Sequence, residues 1–228
     1  MNKLSVIIPV FNEKATVEEL LRRVAAAPTP GHDKEVIVVD DGSTDGTAEL
    51  LARLQAGGGF RLLRHERNRG KGAAVRTGLA AASGGLTIIQ DADLEYDPGD
   101  YAALLAAADR GAPVVYGVRR GSGAAGRLLF GLGGRLLTAV MNILYGSHLS
   151  DINTCYKLFR TGVLRDLRLE ADGFDLCEEA TAKALRAGLP IAEVPVSYSP
   201  RTAAQGKKIR LRHGWRGLLR IIKCRFQP

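Results

Sequence analysis

Asp91-Ala92-Asp93 follows an apolar run, Leu86 to Gln90, with Thr87-Ile88-Ile89 at its centre. Alternate residues of an extended segment point to the same side, so the two carboxylates can converge on one cation. Carboxylates without His or Cys nearby suit a hard divalent ion, Mg²⁺ or Mn²⁺, of the kind that bridges to phosphate oxygens. Glu95 can join them from the following turn. The alternative is that these acids only cap the turn and helix that open at Asp97-Pro98. A second acidic pair, Asp40-Asp41, ends another apolar run and precedes Gly42-Ser43. Ser43 or Asp45 suits a helix N-cap. Two adjacent acids are more than capping needs, and an acceptor-only carboxylate there can bind a nucleobase N–H or a ribose hydroxyl. Glu178 and Glu179 open a helical stretch, where negative charge is favourable in any case.

The elements that must position these groups follow from periodicity. Leu4 to Val10 is a β-branched run that reads as a buried strand. Thr16-Val17-Glu18-Glu19 has capping-box spacing before a helix that ends near Pro28. Glu35 to Val39 is the next strand, followed by a helix to about Ala56. Arg61 to Arg64 is a weaker strand and Lys71 to Ser83 an Ala-rich helix. Leu86 to Gln90 is a strand, Asp97-Pro98 starts a helix through Ala108, and Val114 to Val118 is a fifth strand. This alternation predicts an α/β fold with a mostly parallel sheet and helices on both faces. Further on, Arg127 to Tyr145 reads as a long amphipathic helix and Thr154 to Phe159 as a strand. Phe174 to Ala187 reads as a helix, Pro190 to Tyr198 as extended, and Leu211 to Arg225 as a basic amphipathic helix. Ligands of open parallel sheets bind outside the carboxyl ends of the strands. Those ends carry Asn12 and Glu13, Asp40 and Asp41, Asn68 to Lys71, Asp91 and Asp93, and Gly117 and Arg119.

At 228 residues, with 46% hydrophobic and 25% charged residues, the chain has the make-up of one large folded domain with at most a short appendage. Its three cysteines are widely spaced and lack a CxxC pair, which speaks against a disulfide framework or thiolate zinc site and for a reducing compartment. The first apolar run is too short for a signal peptide, and no run of about 18 apolar residues offers a spanning helix. The net charge of +8 is uneven. Residues 201–228 hold nine Lys or Arg and no acid, which leaves 23 basic against 24 acidic residues over 1–200. A second acid-free stretch, Arg110 to Ser150, sets Arg119, Arg120, Arg127 and Arg135 among apolar residues. Such surfaces imply an anionic partner. Nucleic acid would account for the tail but not for the acids at the sheet edge, and no aromatic stacking platform is visible. Gly121-Ser-Gly-Ala-Ala-Gly126 fits GxGxxG but follows the fifth strand and lacks the acid about 20 residues on. Gly70-Lys71-Gly72 lacks a Walker A frame. The four histidines have no metal spacing and read as surface residues.

Pro9-Val-Phe-Asn-Glu13, Val39-Asp-Asp-Gly-Ser-Thr-Asp45, Asn68-Arg-Gly-Lys-Gly72 and Asp91-Ala-Asp93 occur in this order. The series resembles the family 2 glycosyltransferases of GT-A (Rossmann-like) fold. Asp151-Ile-Asn-Thr-Cys-Tyr-Lys157, Tyr198-Ser-Pro-Arg201 and Gly206-Lys-Lys208 look like the branch of dolichyl-phosphate mannose synthases and other polyprenyl-phosphate glycosyltransferases. The resemblance implies a domain over 1–200, with a nucleotide-sugar half at 1–120 and an acceptor half at 121–200, then a basic tail over 201–228. It implies an inverting transfer from a nucleotide-diphosphate-sugar, with a donor site of Pro9, Phe11, Asn12, Glu13, Asp41, Lys71, Asp91, Ala92 and Asp93. Pro9, Phe11, Glu13 and Asp41 would hold the nucleoside. Asp91, Asp93 and Glu95 would hold Mg²⁺ or Mn²⁺; mannose synthases place glutamine where Glu95 stands. The acceptor would be a polyprenyl (dolichyl or undecaprenyl) phosphate held by Arg119, Arg127, Arg135 and Arg201, with Asp93, Arg119 and Glu178 as catalytic groups. A hydroxyl acceptor is the alternative and would need a base, for which Glu178 and Glu179 are the candidates. The tail would rest on an anionic membrane surface, on the cytoplasmic face, with or without an anchoring partner.

Overall fold

The computed structural model describes residues 2–121, 129–201 and 211–227. Arg127, Gly206-Lys-Lys208 and most of the Gly121–Gly126 stretch lie outside the described residues. A seven-stranded sheet runs in the order β3-β2-β1-β4-β6-β5-β7. Its first strands are β1 (Lys3–Val10), β2 (Asp33–Asp40), β3 (Arg61–Arg64) and β4 (Leu86–Ile89). They pair in parallel, β1 lying between β2 and β4. The helices α1 (Val17–Ala26), α2 (Thr47–Gln55) and α3 (Lys71–Ala81) connect them.

Both faces of these strands are apolar because both are covered. Ile37 and Val39 pack with Ala74 of α3, whereas Val36 and Val38 join Val17 and Leu20 of α1 in the main core. Pro9 sits in a central strand without cost to the ladder. The β4 pairing ends at Ile7–Ile89, and the Pro9 nitrogen falls beyond it.

The second half departs from simple alternation. After α4 (Tyr101–Asp109) and β5 (Val114–Gly121), the chain forms α5 (Leu129–Tyr145) and then inserts β6 (Lys157–Arg160) between β4 and β5. β6 is antiparallel to both neighbours. A short α6 (Thr161–Asp166), unforeseen in the sequence, leads to α7 (Leu176–Arg186). β7 (Ile191–Tyr198) then pairs in parallel with β5, and α8 (Leu211–Phe226) packs across α5 and α7. The expected capping box does not form. The Thr16 hydroxyl donates to the Glu13 side chain at 2.9 Å, and Glu19 is taken by Arg22 and Arg23. At α2 it is Asp45, not Ser43, that accepts the Thr47 N–H, at 3.0 Å.

Candidate active site

The carboxyl ends of β1 and β2 are stitched together by polar side chains. The Asn12 amide N–H donates to Ser43 Oγ at 2.9 Å, and Asn12 Oδ1 accepts from the Thr44 N–H at 2.8 Å. The Glu13 N–H donates to Thr47 Oγ1 at 3.1 Å. Asn12 takes a positive φ of 51°, a conformation that asparagine tolerates better than most residues. Asp40 points back into its own turn and accepts from the Ser43 N–H at 3.0 Å. Asp41 is buried and reaches forward: it accepts from the Arg69 and Gly70 N–H groups at 2.9 and 2.8 Å and from His65 Nδ1 at 2.6 Å. It therefore folds the Asn68–Gly72 loop.

Gly70 and Gly72 bring that loop against the chain before α7. A Cβ at Gly70 would lie 2.3 Å from the Asp172 carbonyl oxygen, and one at Gly72 would lie 2.1 Å from that of Ala171. Only glycine fits, and the Gly72 N–H donates to Asp172 O at 2.7 Å. Between them, Lys71 at the start of α3 reaches Asp91 at 2.5 Å and Cys155 Sγ at 3.4 Å. Burial disfavours the Lys71 charge, yet the adjacent Asp91 carboxylate outweighs it and raises the pKa.

The other acids gather around a second cation. Arg201 Nη2 lies 3.0 Å from Asp93 Oδ2 and Nη1 3.2 Å from Glu13 Oε2, while the Arg201 N–H donates to Glu95 Oε1 at 2.8 Å. The Tyr198 hydroxyl donates to Glu95 Oε2 at 2.7 Å. Burial, reinforced by the charges of Asp91 and Glu95 and opposed by Arg201, pushes the Asp93 carboxyl up to about 7. Leu94, between Asp93 and Glu95, has φ 61°, a strained value for a bulky residue. This cluster suits a hard cation in its chemistry: its carboxylates are all-oxygen donors carrying more negative charge than their surroundings neutralise. In this structure two of them are each paired with a basic side chain. Lys71 holds Asp91 and Arg201 holds Asp93, and no group of three metal-ligating side chains closes among the described residues.

The other candidate residues are placed as follows. Arg119 is paired within the protein. Its guanidinium forms a fork with Asp151, Nε–Oδ2 2.6 Å and Nη2–Oδ1 2.8 Å, and stacks over Tyr198 at 5.1 Å. Arg201, expected at the acceptor phosphate, sits instead among the donor-side acids. Arg135 is exposed on α5. Glu178 and Glu179 are both buried. Glu179 accepts from the Glu170 and Ala171 N–H groups and pairs with Lys183 at 2.8 Å, so it shapes the loop before α7. Glu178 lies beneath α8, where a Cβ on Gly217 would come within 2.7 Å of its Oε1, and its Oε2 has no hydrogen-bond partner among the described residues. Burial pushes this carboxyl up to about 7. The histidines divide: His32 and His65 are buried rather than on the surface. Nothing in the spacing signals His65, because its partners Asp41 and Thr77 lie 24 and 12 residues away.

The chain matches the model of glycosyl transferase family 2 over residues 5–168, and it belongs to that family. It is 40% identical over 123 residues to an undecaprenyl-phosphate 4-deoxy-4-formamido-L-arabinose transferase of Salmonella paratyphi A, covering 53% of this chain and 38% of that protein. The enzyme of the same name from Edwardsiella ictaluri is 33% identical over 165 residues, or 71% of this chain and 50% of its own. The matches thus span half or less of those relatives' lengths. Among solved structures, glucosyl-3-phosphoglycerate synthase from Mycobacterium tuberculosis, in complex with Mn²⁺, UDP and its product, superposes with a TM-score of 0.73. The match covers 98% of this chain and 80% of that one at 24% identity, and it establishes the GT-A fold expected from the sequence.

Proposed function

We propose that this protein transfers a sugar from a nucleotide-diphosphate-sugar to a polyprenyl phosphate at a membrane surface. The observation that carries the reading is the edge where Glu13, Asp91, Asp93 and Glu95 meet Lys71 and Arg201 at the carboxyl ends of β1 and β4. Alternating carboxylates and cations suit a diphosphate with its counter-ion, and the undecaprenyl-phosphate relatives support the acceptor. Asp91, Asp93 and Glu95 would hold Mg²⁺ or Mn²⁺, which supplies Lewis-acid neutralisation of the departing diphosphate. Lys71 and Arg201, now paired with Asp91 and Asp93, would be the cations nearest the diphosphate. Each can turn to a phosphate oxygen, Arg201 with two donors and Lys71 as a point charge. Asp41, Asn12 and Glu13 keep the nucleoside end rigid. A phosphate monoester, substantially ionised near neutral pH, needs no general base.

The test is incubation with Mn²⁺ or Mg²⁺, a panel of UDP- and GDP-sugars and a polyprenyl phosphate in detergent, with the organic phase weighed by mass spectrometry. A lipid-phosphate-sugar from one donor is the expected result. Donor consumption without lipid product would move the acceptor to a hydroxyl and overturn the polyprenyl assignment.

The membrane part of the reading rests on α8. Trp215, Leu219, Ile222 and Phe226 follow i, i+4, i+7, i+11 spacing and are all exposed, Phe226 by 74%. Ile221 and Cys224, on the opposite side, are buried. Arg216 and Lys223 flank the exposed stripe, and α5 adds exposed Leu136 and Ile143. Tyr145 ties the two helices by donating to Ile221 O at 2.9 Å. No described helix is long and apolar enough to cross a membrane. An apolar stripe between cations suits the headgroup plane of an anionic bilayer. Trp215→Glu with Leu219→Glu is expected to weaken sedimentation with anionic liposomes at least tenfold, since each buried side chain of this size contributes about 1.5–3 kcal/mol. Unchanged sedimentation would remove this surface.

A further inference from the structure

We propose that His65 is a positioning residue of the donor site: it aims the Asp41 carboxylate and ties it to α3, the helix that carries Lys71. The proposal rests on the nucleotide-diphosphate reading and adds to it a residue outside every donor-site motif. His65 directly follows β3, and its N–H extends the ladder by donating to Asp40 O at 2.9 Å. Its ring is buried between two elements, with Nδ1 2.6 Å from Asp41 Oδ1 and Nε2 2.9 Å from Thr77 Oγ1. A carboxylate only accepts, so Nδ1 carries the proton towards Asp41 and Nε2 faces the Thr77 hydroxyl.

The placement matters because of what else Asp41 holds. Oδ1 also receives the Arg69 N–H, and Oδ2 receives the Gly70 N–H. A carboxylate has about four acceptor positions. Three are taken here, two of them on Oδ1, so the open one is on Oδ2. By loading Oδ1, His65 determines which oxygen is left for a ligand N–H or hydroxyl. Gly42 allows this packing: its φ is 73°, and a Cβ there would lie 2.5 Å from the Arg67 carbonyl carbon. Through Thr77, His65 also fixes α3 against β2, and α3 begins at Lys71, the partner of Asp91. One imidazole thus holds the nucleoside end and the diphosphate end of the edge in register.

The test compares wild type with His65→Leu, His65→Asn and Thr77→Val. His65→Asn retains an N–H near the Nδ1 position. Calorimetry gives UDP and GDP binding, steady-state kinetics separates KM from kcat, and amide exchange is followed at Arg69 and Gly70. His65→Leu is expected to weaken nucleotide binding and raise the donor KM by about tenfold, as for loss of a buried hydrogen bond to a charged group, with kcat little changed. Exchange at Arg69 and Gly70 should quicken, and His65→Asn should restore most of both effects. Ring ¹⁵N shifts should show the Nδ1–H form in wild type. Nucleotide affinity in folded His65→Leu equal to wild type, or an Nε2–H ring, would overturn the proposal. If His65→Leu does not fold, Thr77→Val decides: unchanged binding and exchange overturn it, and a smaller loss of both supports it. Wild type that binds no nucleotide would defeat the donor reading instead, while the ring shifts and exchange would still judge the His65–Asp41 link.

Discussion

Asp93→Asn is expected to lower sugar transfer by roughly 10²–10³-fold while leaving the fold intact. The expected loss is what several kcal/mol of charge stabilisation at a departing diphosphate converts to, at about 1.4 kcal/mol per tenfold. Asparagine keeps the size of Asp93 and one oxygen but removes the charge that meets Arg201 at 3.0 Å. In wild type this carboxyl holds its proton up to about 7 because it is buried beside Asp91 and Glu95. Divalent-ion affinity should therefore fall as pH drops below about 7, since a proton and a metal compete for the same oxygens. The variant should bind Mn²⁺ weakly at every pH and lose that dependence. Initial rates and a Mn²⁺ titration followed by electron paramagnetic resonance, both from pH 5.5 to 8.5, measure it. Near-wild-type turnover by Asp93→Asn would remove Asp93 from the transfer step.

Glu178→Gln is expected to stabilise the protein, increasingly as pH rises above about 4.5. In an unfolded chain Glu178 titrates near its ordinary 4.5, whereas in the fold, buried under α8, it titrates at about 7. Below pH 4.5 both states are protonated and burial of this carboxyl costs little. Between 4.5 and 7 the unfolded state ionises and the folded state does not, so stability falls as pH rises. Above 7 the penalty levels off at about 3 kcal/mol as an upper figure. Glutamine has no such penalty. The melting temperature of the variant should match wild type near pH 4 and exceed it by up to roughly 6–10 °C at pH 8, given about 2–4 °C per kcal/mol at this chain length. Parallel melting curves across that range would contradict the assignment.

The alternation of the first five strands was legible because all but the weaker β3 carry a run such as Val36–Val39 that has to be buried. The edge that gathers the acids was legible for the same reason, since chain direction decides which strand ends share a side. What sequence could not convey were pairings across long separations. Arg201 and Glu13 meet across 188 residues, and Arg119 and Asp151 across 32. An arginine's type says that it seeks an anion, not whether that anion is a ligand or a neighbouring carboxylate. The apolar stripe of α8 showed the same limit. Leu218 stands beside Leu219 and one turn from Trp215, yet it packs against the core while those two face outward. The direction of β6 was also hidden, because four residues, Lys157 to Arg160, carry no polarity of their own.

That reversed strand bears on how the chain can fold during synthesis. β6 supplies the only link between β4 and the β5–β7 pair in the described sheet, and Leu86 must wait for Arg160, 74 residues later, to find its partner. Until then a nascent chain through β5 has β4 as an open edge, with the remaining strand unplaced beside it. Such late, long-range pairing slows folding and prolongs exposure of a sticky edge. The two halves of the site are therefore joined through one kinetic step, the docking of a four-residue strand, and neither half forms a finished sheet before it.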